Sequence, residues 1–188
     1  RSLSYLIYLN SKIKNLTVVT TKPVETGRGK KVKANIIETF CVENNIICKY
    51  FNQNDVYEDM SSALCVSFRN IFSQKFLNDN NNIYNVHLSL LPKFKGPSPV
   101  ETQILNNENN IGYSIFKINE NVDAGPLIFK NTINYQNDLY ASYVYKNIFK
   151  DFTKSFDYII NNLNSNILQT NEVSSFTKKF TKNDFCIN

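Results

Sequence analysis

Apolar residues fall along this chain in two alternating kinds of run. Short β-branched or fully apolar runs read as buried strands, and longer runs with apolar residues every three or four positions read as helices. Residues 2–14 suit a helix, with Leu3, Leu6, Ile7 and Ile13 giving it an apolar side. Residues 16–20 read as a strand, 34–44 as a helix with Ile36, Ile37 and Phe40 along one side, and 46–50 as a second strand. Residues 63–68 and 83–87 read as buried strands, and Pro99 opens a helix to about residue 105 because proline suits a first helical turn. Residues 112–117 and 127–133 read as strands flanking a loop. A long helix follows Asp138, with Val144, Ile148, Phe152, Phe156, Ile160 and Leu163 as its stripe, and the tail from Asn164 is polar, with Lys178, Lys179 and Lys182. Strands alternating with helices predict one α/β domain, parallel at least in its first half, with crossovers covering both faces of the sheet.

Glycine and proline sharpen this picture. The chain has five of each, and all but Gly112 lie in three loops: 23–29, 92–99 and 125–126. In a glycine-poor chain these mark where the backbone takes an unusual shape, and shaped loops at strand ends are where sites are built. The one histidine, His87, ends the 83–87 run, just before the second of these loops. Imidazole suits proton transfer near neutral pH. Asn85, two residues earlier, shares its strand face, so the two can point at one reacting atom. This places both at the carboxyl end of a strand, where α/β sheets bind ligands. Asp123 precedes the Gly125-Pro126 turn. Alone it reads as a turn former; beside His87 it would gain chemical weight.

Composition narrows the classes. With 188 residues, 42% hydrophobic and 20% charged, the chain can bury a real core. The formal charge of +5 fits a phosphate-bearing partner but reads first as a solvated basic surface. Arg28, Lys30, Lys31 and Lys33 crowd a loop read over residues 21–33, either as solvated charge or as contacts for nucleic-acid phosphates. Cys41, Cys48, Cys65 and Cys186 form no C-x-x-C pair, and one histidine leaves no zinc pattern, so no metal is expected. Cys48 and Cys65 sit in apolar runs and read as small core residues in a reduced compartment. No apolar run approaches the length of a membrane span, and Ser89 lacks the G-x-S-x-G setting of a hydrolase nucleophile.

Taken together, these segments resemble the N-terminal catalytic domain of the methionyl-tRNA formyltransferases. The similarity is most specific at Asn85-Val86-His87-Leu88-Ser89-Leu90-Leu91-Pro92-Lys93-Phe94-Lys95-Gly96-Pro97-Ser98-Pro99, which resembles that family's N-x-H-x-S-L-L-P loop and the basic turn after it. Gly112-Tyr113-Ser114, Val122-Asp123-Ala124-Gly125-Pro126, and the stretch from Val18 to Gly27-Arg28-Gly29-Lys30-Lys31 resemble further family motifs. Ser67-Phe68-Arg69 stands where the family usually has glycine at the third position, and Leu88 replaces a small residue.

The resemblance implies a formyltransferase-type, Rossmann-like fold with a mostly parallel sheet. It implies transfer of a formyl group from N10-formyltetrahydrofolate to the α-amine of initiator methionyl-tRNA. Asn85 would donate to the oxyanion, His87 would move the proton, and Asp123 would orient the ring and favour its charged form. Ser89, Leu90, Leu91 and Pro92 would shape the folate pocket, and Arg28, Lys30, Lys31 and Lys33 would meet tRNA. The partners expected are folate and tRNA, with no membrane, and the protein is expected to be a monomer. A first strand is expected before residue 1 and a tRNA-holding barrel domain after residue 188, so an isolated chain of this extent is expected to fold poorly. The expected compartment is the mitochondrial matrix or a plastid in a eukaryote and the cytoplasm in a bacterium. The rival readings are a glycinamide ribonucleotide formyltransferase and a non-catalytic RNA-binding domain of the same fold.

Overall fold

Two compact units divide the chain, residues 1–56 and 57–188. The computed structural model describes residues 2–23, 35–133, 140–165, 169 and 173–180, together with the backbone of 25–26 and 31–32. The first unit runs α1 (Ser2–Lys12), β1 (Thr17–Thr20), β2 (Glu25–Thr26), β3 (Lys31–Val32), α2 (Ile36–Glu43) and β4 (Ile47–Tyr50). β1 pairs with β4 in parallel, from Thr17 opposite Ile47 to Thr20 opposite Tyr50. Asn35 caps α2: its side-chain oxygen accepts from the Glu38 N–H at 2.9 Å, and its amide donates to the Thr21 carbonyl at 3.1 Å.

The second unit runs β5 (Ala63–Val66), α3 (Gln74–Asp79), β6 (Ile83–His87), α4 (Pro99–Leu105), β7 (Ile111–Lys117), β8 (Leu127–Ile133) and α5 (Ala141–Asn161). Its sheet has the order β5-β6-β7-β8. β5 and β6 are parallel, whereas β6–β7 and β7–β8 are antiparallel. The β1–β4 and β5–β6 pairings in the first half of the chain are thus parallel, as its alternating elements predict, apart from the short antiparallel β2–β3 pair, and pairing turns antiparallel after β6. β7 is buried along all but its last residue, and α5 lays Val144, Ile148, Phe152, Phe156 and Ile159 into the core.

Several expectations need correction. The α5 stripe passes through Ile159, leaving Ile160 exposed. Four-residue steps drift by about 40° each around a helix, and a three-residue step brings the stripe back to the core face. In α1 the buried residues are Tyr5, Leu6 and Leu9, and Ile7 faces solvent. Cys41 is the fully buried cysteine of its unit, whereas Cys48 and Cys65 are only partly covered. α3 and the β2–β3 pair carry too few residues to show a period; α3 is six residues long, held by a Ser73 cap and the buried Phe76.

Candidate active site

His87 is the last residue of β6, the strand at which parallel pairing gives way to antiparallel. Asn85 lies between Cys65 on β5 and Phe116 on β7, and His87 lies opposite Ser114. Pleating sends the Asn85 and His87 side chains to the same face. The Asn85 carboxamide is half-buried and makes no hydrogen bond among the described residues. Such an amide, not sealed from solvent, is available to a ligand. Cys65 beside it is no rival nucleophile, because burial pushes its thiol up to about 12.

The His87 ring is 6% exposed and stands edge-on to Phe116. Its Nδ1 lies 3.5 Å from Asp123 Oδ2, and its Nε2 lies 2.8 Å from the Phe94 carbonyl oxygen. Both neighbours are acceptors. A neutral imidazole can donate to one of them, and a doubly protonated ring can donate to both.

Two turns supply these acceptors. Asp123 has a left-handed backbone (φ 48°), and its Oδ2 also accepts the Gly96 N–H at 2.7 Å. The carboxylate therefore joins its own turn to the 94–97 turn as well as facing the ring. Phe94 is left-handed too (φ 59°), a conformation that costs a bulky residue about 1–3 kcal/mol and that clusters at functional sites. Gly125 is required by close approach: a Cβ there would lie 1.7 Å from the Lys117 carbonyl oxygen.

The Ser89-Leu90-Leu91-Pro92 loop is tied down from behind. Ser89 Oγ donates to the Lys93 carbonyl at 2.7 Å. Ser114 Oγ donates to the Ser89 carbonyl at 2.7 Å and accepts the Leu91 N–H at 3.0 Å. Gln103 donates to the Leu88 carbonyl at 2.9 Å from inside α4. Ser89, Leu91 and Pro92 are buried, Leu91 against Phe116 and Leu127. Leu90 is half-buried and lines a cavity of about 160 Å³ with Phe94, Gln103 and Lys130. A larger cavity, about 290 Å³, opens at the other end of β6 between Gln74, Asn82 and Lys117, away from His87.

The structure thus brings Asp123 to His87, with Asn85 on the same face of β6 and the Ser89–Pro92 loop directly after that strand. Arg28, Lys30 and Lys33 lie outside the described residues, and Lys31 is described only as backbone in β3. Ser114 and Gln103 are fully buried polar residues that sequence reasoning gave no role. Among the described residues no group of three His, Cys, Asp or Glu side chains could hold a metal.

A profile of the family described as Formyl transferase matches residues 3–179. Among curated proteins, the methionyl-tRNA formyltransferase of Pelagibacter ubique is 32% identical over 120 residues, covering 58% of this chain and 39% of the relative. That of Buchnera aphidicola subsp. Schizaphis graminum is 27% identical, covering 100% of this chain and 64% of the relative. The chain therefore spans less than two thirds of the length of such relatives. Among solved structures, the sugar 3N-formyltransferase WlaRD, crystallised in the presence of dTDP and 5-N-formyl-THF, superposes with a TM-score of 0.70 at 26% identity, covering 98% of this chain and 66% of that one. Phosphoribosylglycinamide formyltransferase from Bacillus halodurans shares the fold, with a TM-score of 0.67 at 15% identity, covering 87% of this chain and 89% of that one. A match that begins at residue 3 and ends at residue 179 leaves almost nothing of the sequence outside it, and the chain belongs to the formyl transferase family.

Proposed function

We propose that this chain is the catalytic domain of a methionyl-tRNA formyltransferase. It would carry a formyl group from N10-formyltetrahydrofolate to the α-amine of initiator methionyl-tRNA. The observation that carries the reading is the His87 ring held between Asp123 Oδ2 and the Phe94 carbonyl, with the Asn85 carboxamide, unbonded among the described residues, two residues earlier on the same strand face. The acceptor is chosen from the names of the curated relatives, which are methionyl-tRNA formyltransferases at 26–32% identity.

The chemistry sets three demands. The amine attacks the formyl carbon, the carbonyl oxygen gains charge, and N10 leaves with a proton. Asn85 would donate its amide hydrogen to the oxyanion, a contact typically worth on the order of 10²–10³ in rate. His87 would take the proton released by the attacking amine and return it to N10. Its Nε2 would exchange the Phe94 carbonyl for the substrate while Asp123 keeps hold of Nδ1. The nucleophile belongs to the substrate, and an α-amine titrates near about 7.7 to 8.0, so no activated serine or cysteine is needed. The tied-down Ser89–Pro92 loop would fix the formyl donor relative to these groups, and much of the acceleration would come from that placement.

A second acceptor class is favoured by a specific likeness. The sugar formyltransferase WlaRD and the N-formyltransferase from Helicobacter canadensis, the latter complexed with folinic acid and dTDP-3-aminofucose, both superpose with a TM-score of 0.70. An amino sugar on a nucleotide is therefore the alternative acceptor. The deciding experiment gives the complete gene product N10-formyltetrahydrofolate with methionyl-tRNA, glycinamide ribonucleotide or dTDP-3-aminofucose. Transfer to the tRNA supports the proposal. Transfer only to another acceptor moves the assignment there, and transfer to none of them with intact RNA binding would favour a non-catalytic domain.

A further inference from the structure

Beyond α5 the polar tail returns to the two turns that hold His87. Gln169 Nε2 donates to the carbonyls of Asp123 (3.0 Å) and Gly125 (2.9 Å), bracketing the turn that bears the carboxylate. Residues 174–177 run beside the other turn. Phe94 N–H donates to Ser175 Oγ at 2.9 Å, and Lys95 N–H donates to the Ser175 carbonyl at 2.8 Å. Thr177 N–H and Oγ1 both donate to the Lys95 carbonyl, at 2.7 and 3.1 Å, and Oγ1 also reaches the Pro97 carbonyl. Lys95 and Phe176 form a parallel bridge.

The peptide groups of the 94–97 turn are shared out between two sides. The Phe94 carbonyl and the Gly96 N–H serve the site, meeting His87 and Asp123. The Phe94 N–H, both polar groups of the Lys95 backbone and the Pro97 carbonyl are satisfied by the tail. A left-handed phenylalanine persists only where its surroundings over-determine it. Here the tail supplies most of that determination. Without it, four backbone groups would lose partners, and the carbonyl facing His87 would be held only by the ring itself and by a long bond, 3.4 Å, from Ser89 Oγ.

We propose that Gln169, Ser175 and Thr177 are positioning residues that strap both turns around the His87–Asp123 pair. The effect on turnover rests on the formyl-transfer reading above, but the effect on the ring does not. The test uses Gln169→Leu and Thr177→Val in the complete gene product, with Thr177→Ser restoring the hydroxyl. Three quantities are read: kcat and KM for formyl transfer, the melting curve, and the His87 Cε1–H NMR resonance, identified by its loss in His87→Ala. Misplacing a catalytic group by about 1 Å costs on the order of 10²-fold, so kcat should fall by about that factor while KM holds. The His87 resonance should move in both variants, and Thr177→Ser should recover both signals. A resonance that stays in place in folded Gln169→Leu and Thr177→Val overturns the strap, as does Thr177→Ser behaving like Thr177→Val. If the parent transfers no formyl group, the formyl-transfer reading falls, and the resonance alone still decides the strap.

Discussion

Gly125→Ala should disable the site from two residues away. The added Cβ would lie 1.7 Å from the Lys117 carbonyl oxygen and 3.2 Å from a ring carbon of Phe116. An ordinary contact would need the backbone to withdraw by about 1.7 Å, and such overpacking costs about 1–3 kcal/mol. Lys117 cannot give way easily. It ends β7, and its N–H is clasped by the Pro126 carbonyl at 2.9 Å. The turn around Gly125 therefore moves, carrying Asp123 with it. Asp123 Oδ2 begins 3.5 Å from the ring and 2.7 Å from the Gly96 N–H, so a displacement of that size breaks both contacts. The melting temperature should fall by about 2–4 °C for each kcal/mol lost. Single-turnover formyl transfer should slow by on the order of 10² while the bulk of the protein stays folded. Calorimetry and rapid-quench assays on parent and variant would measure both. A variant that melts and turns over like the parent would refute the packing of this turn and the dependence of His87 upon it.

Other perturbations separate chemistry from packing. His87→Ala should lower turnover by about 10²–10⁴, and Asp123→Asn should lower it substantially while keeping side-chain shape; a near-parental rate in either variant would remove these residues from the mechanism. Ser114→Ala leaves the Ser89 carbonyl and the Leu91 N–H without their partner, at about 1–3 kcal/mol each, which urea denaturation should detect as a lower midpoint. Phe152→Ala empties a fully buried position on α5 and should cost about 3–5 kcal/mol in the same assay. Burial pushes the Cys41 thiol up to about 11 and that of Cys65 up to about 12. At about pH 8 the Cys41 thiolate is then about one part in a thousand, so iodoacetamide should spare both cysteines in native protein and label them on unfolding, as mass spectrometry would record.

What the sequence disclosed and what it withheld differ in physical kind. β6 and the pair Asn85–His87 are local: two residues apart on one strand, their shared face follows from the pleat alone. The strands other than β2 and β3, together with α5, show through their apolar runs and periods, and the three glycine- and proline-bearing loops mark shaped backbone. Gly125 is the sharpest case, since its lack of a side chain answers a carbonyl that is eight residues back in the chain and in contact in space. The approach of Asp123 to His87, across 36 positions, has no periodic signature, and only resemblance to a family pointed to it. Ser114 showed only as part of a motif with no role attached, and the roles of Gln103, Gln169, Ser175 and Thr177 left no trace in the sequence. Each satisfies main-chain groups of a distant turn, and such a bond depends on where two turns come to rest rather than on any spacing along the chain. A tail of serines, threonines and lysines reads as solvated until the folded backbone shows donors and acceptors that need partners. In the proposed reaction the proton-transfer chemistry would lie in the side chain of His87 itself, whereas the turns that face its ring are bonded by residues whose only visible property in the sequence is polarity.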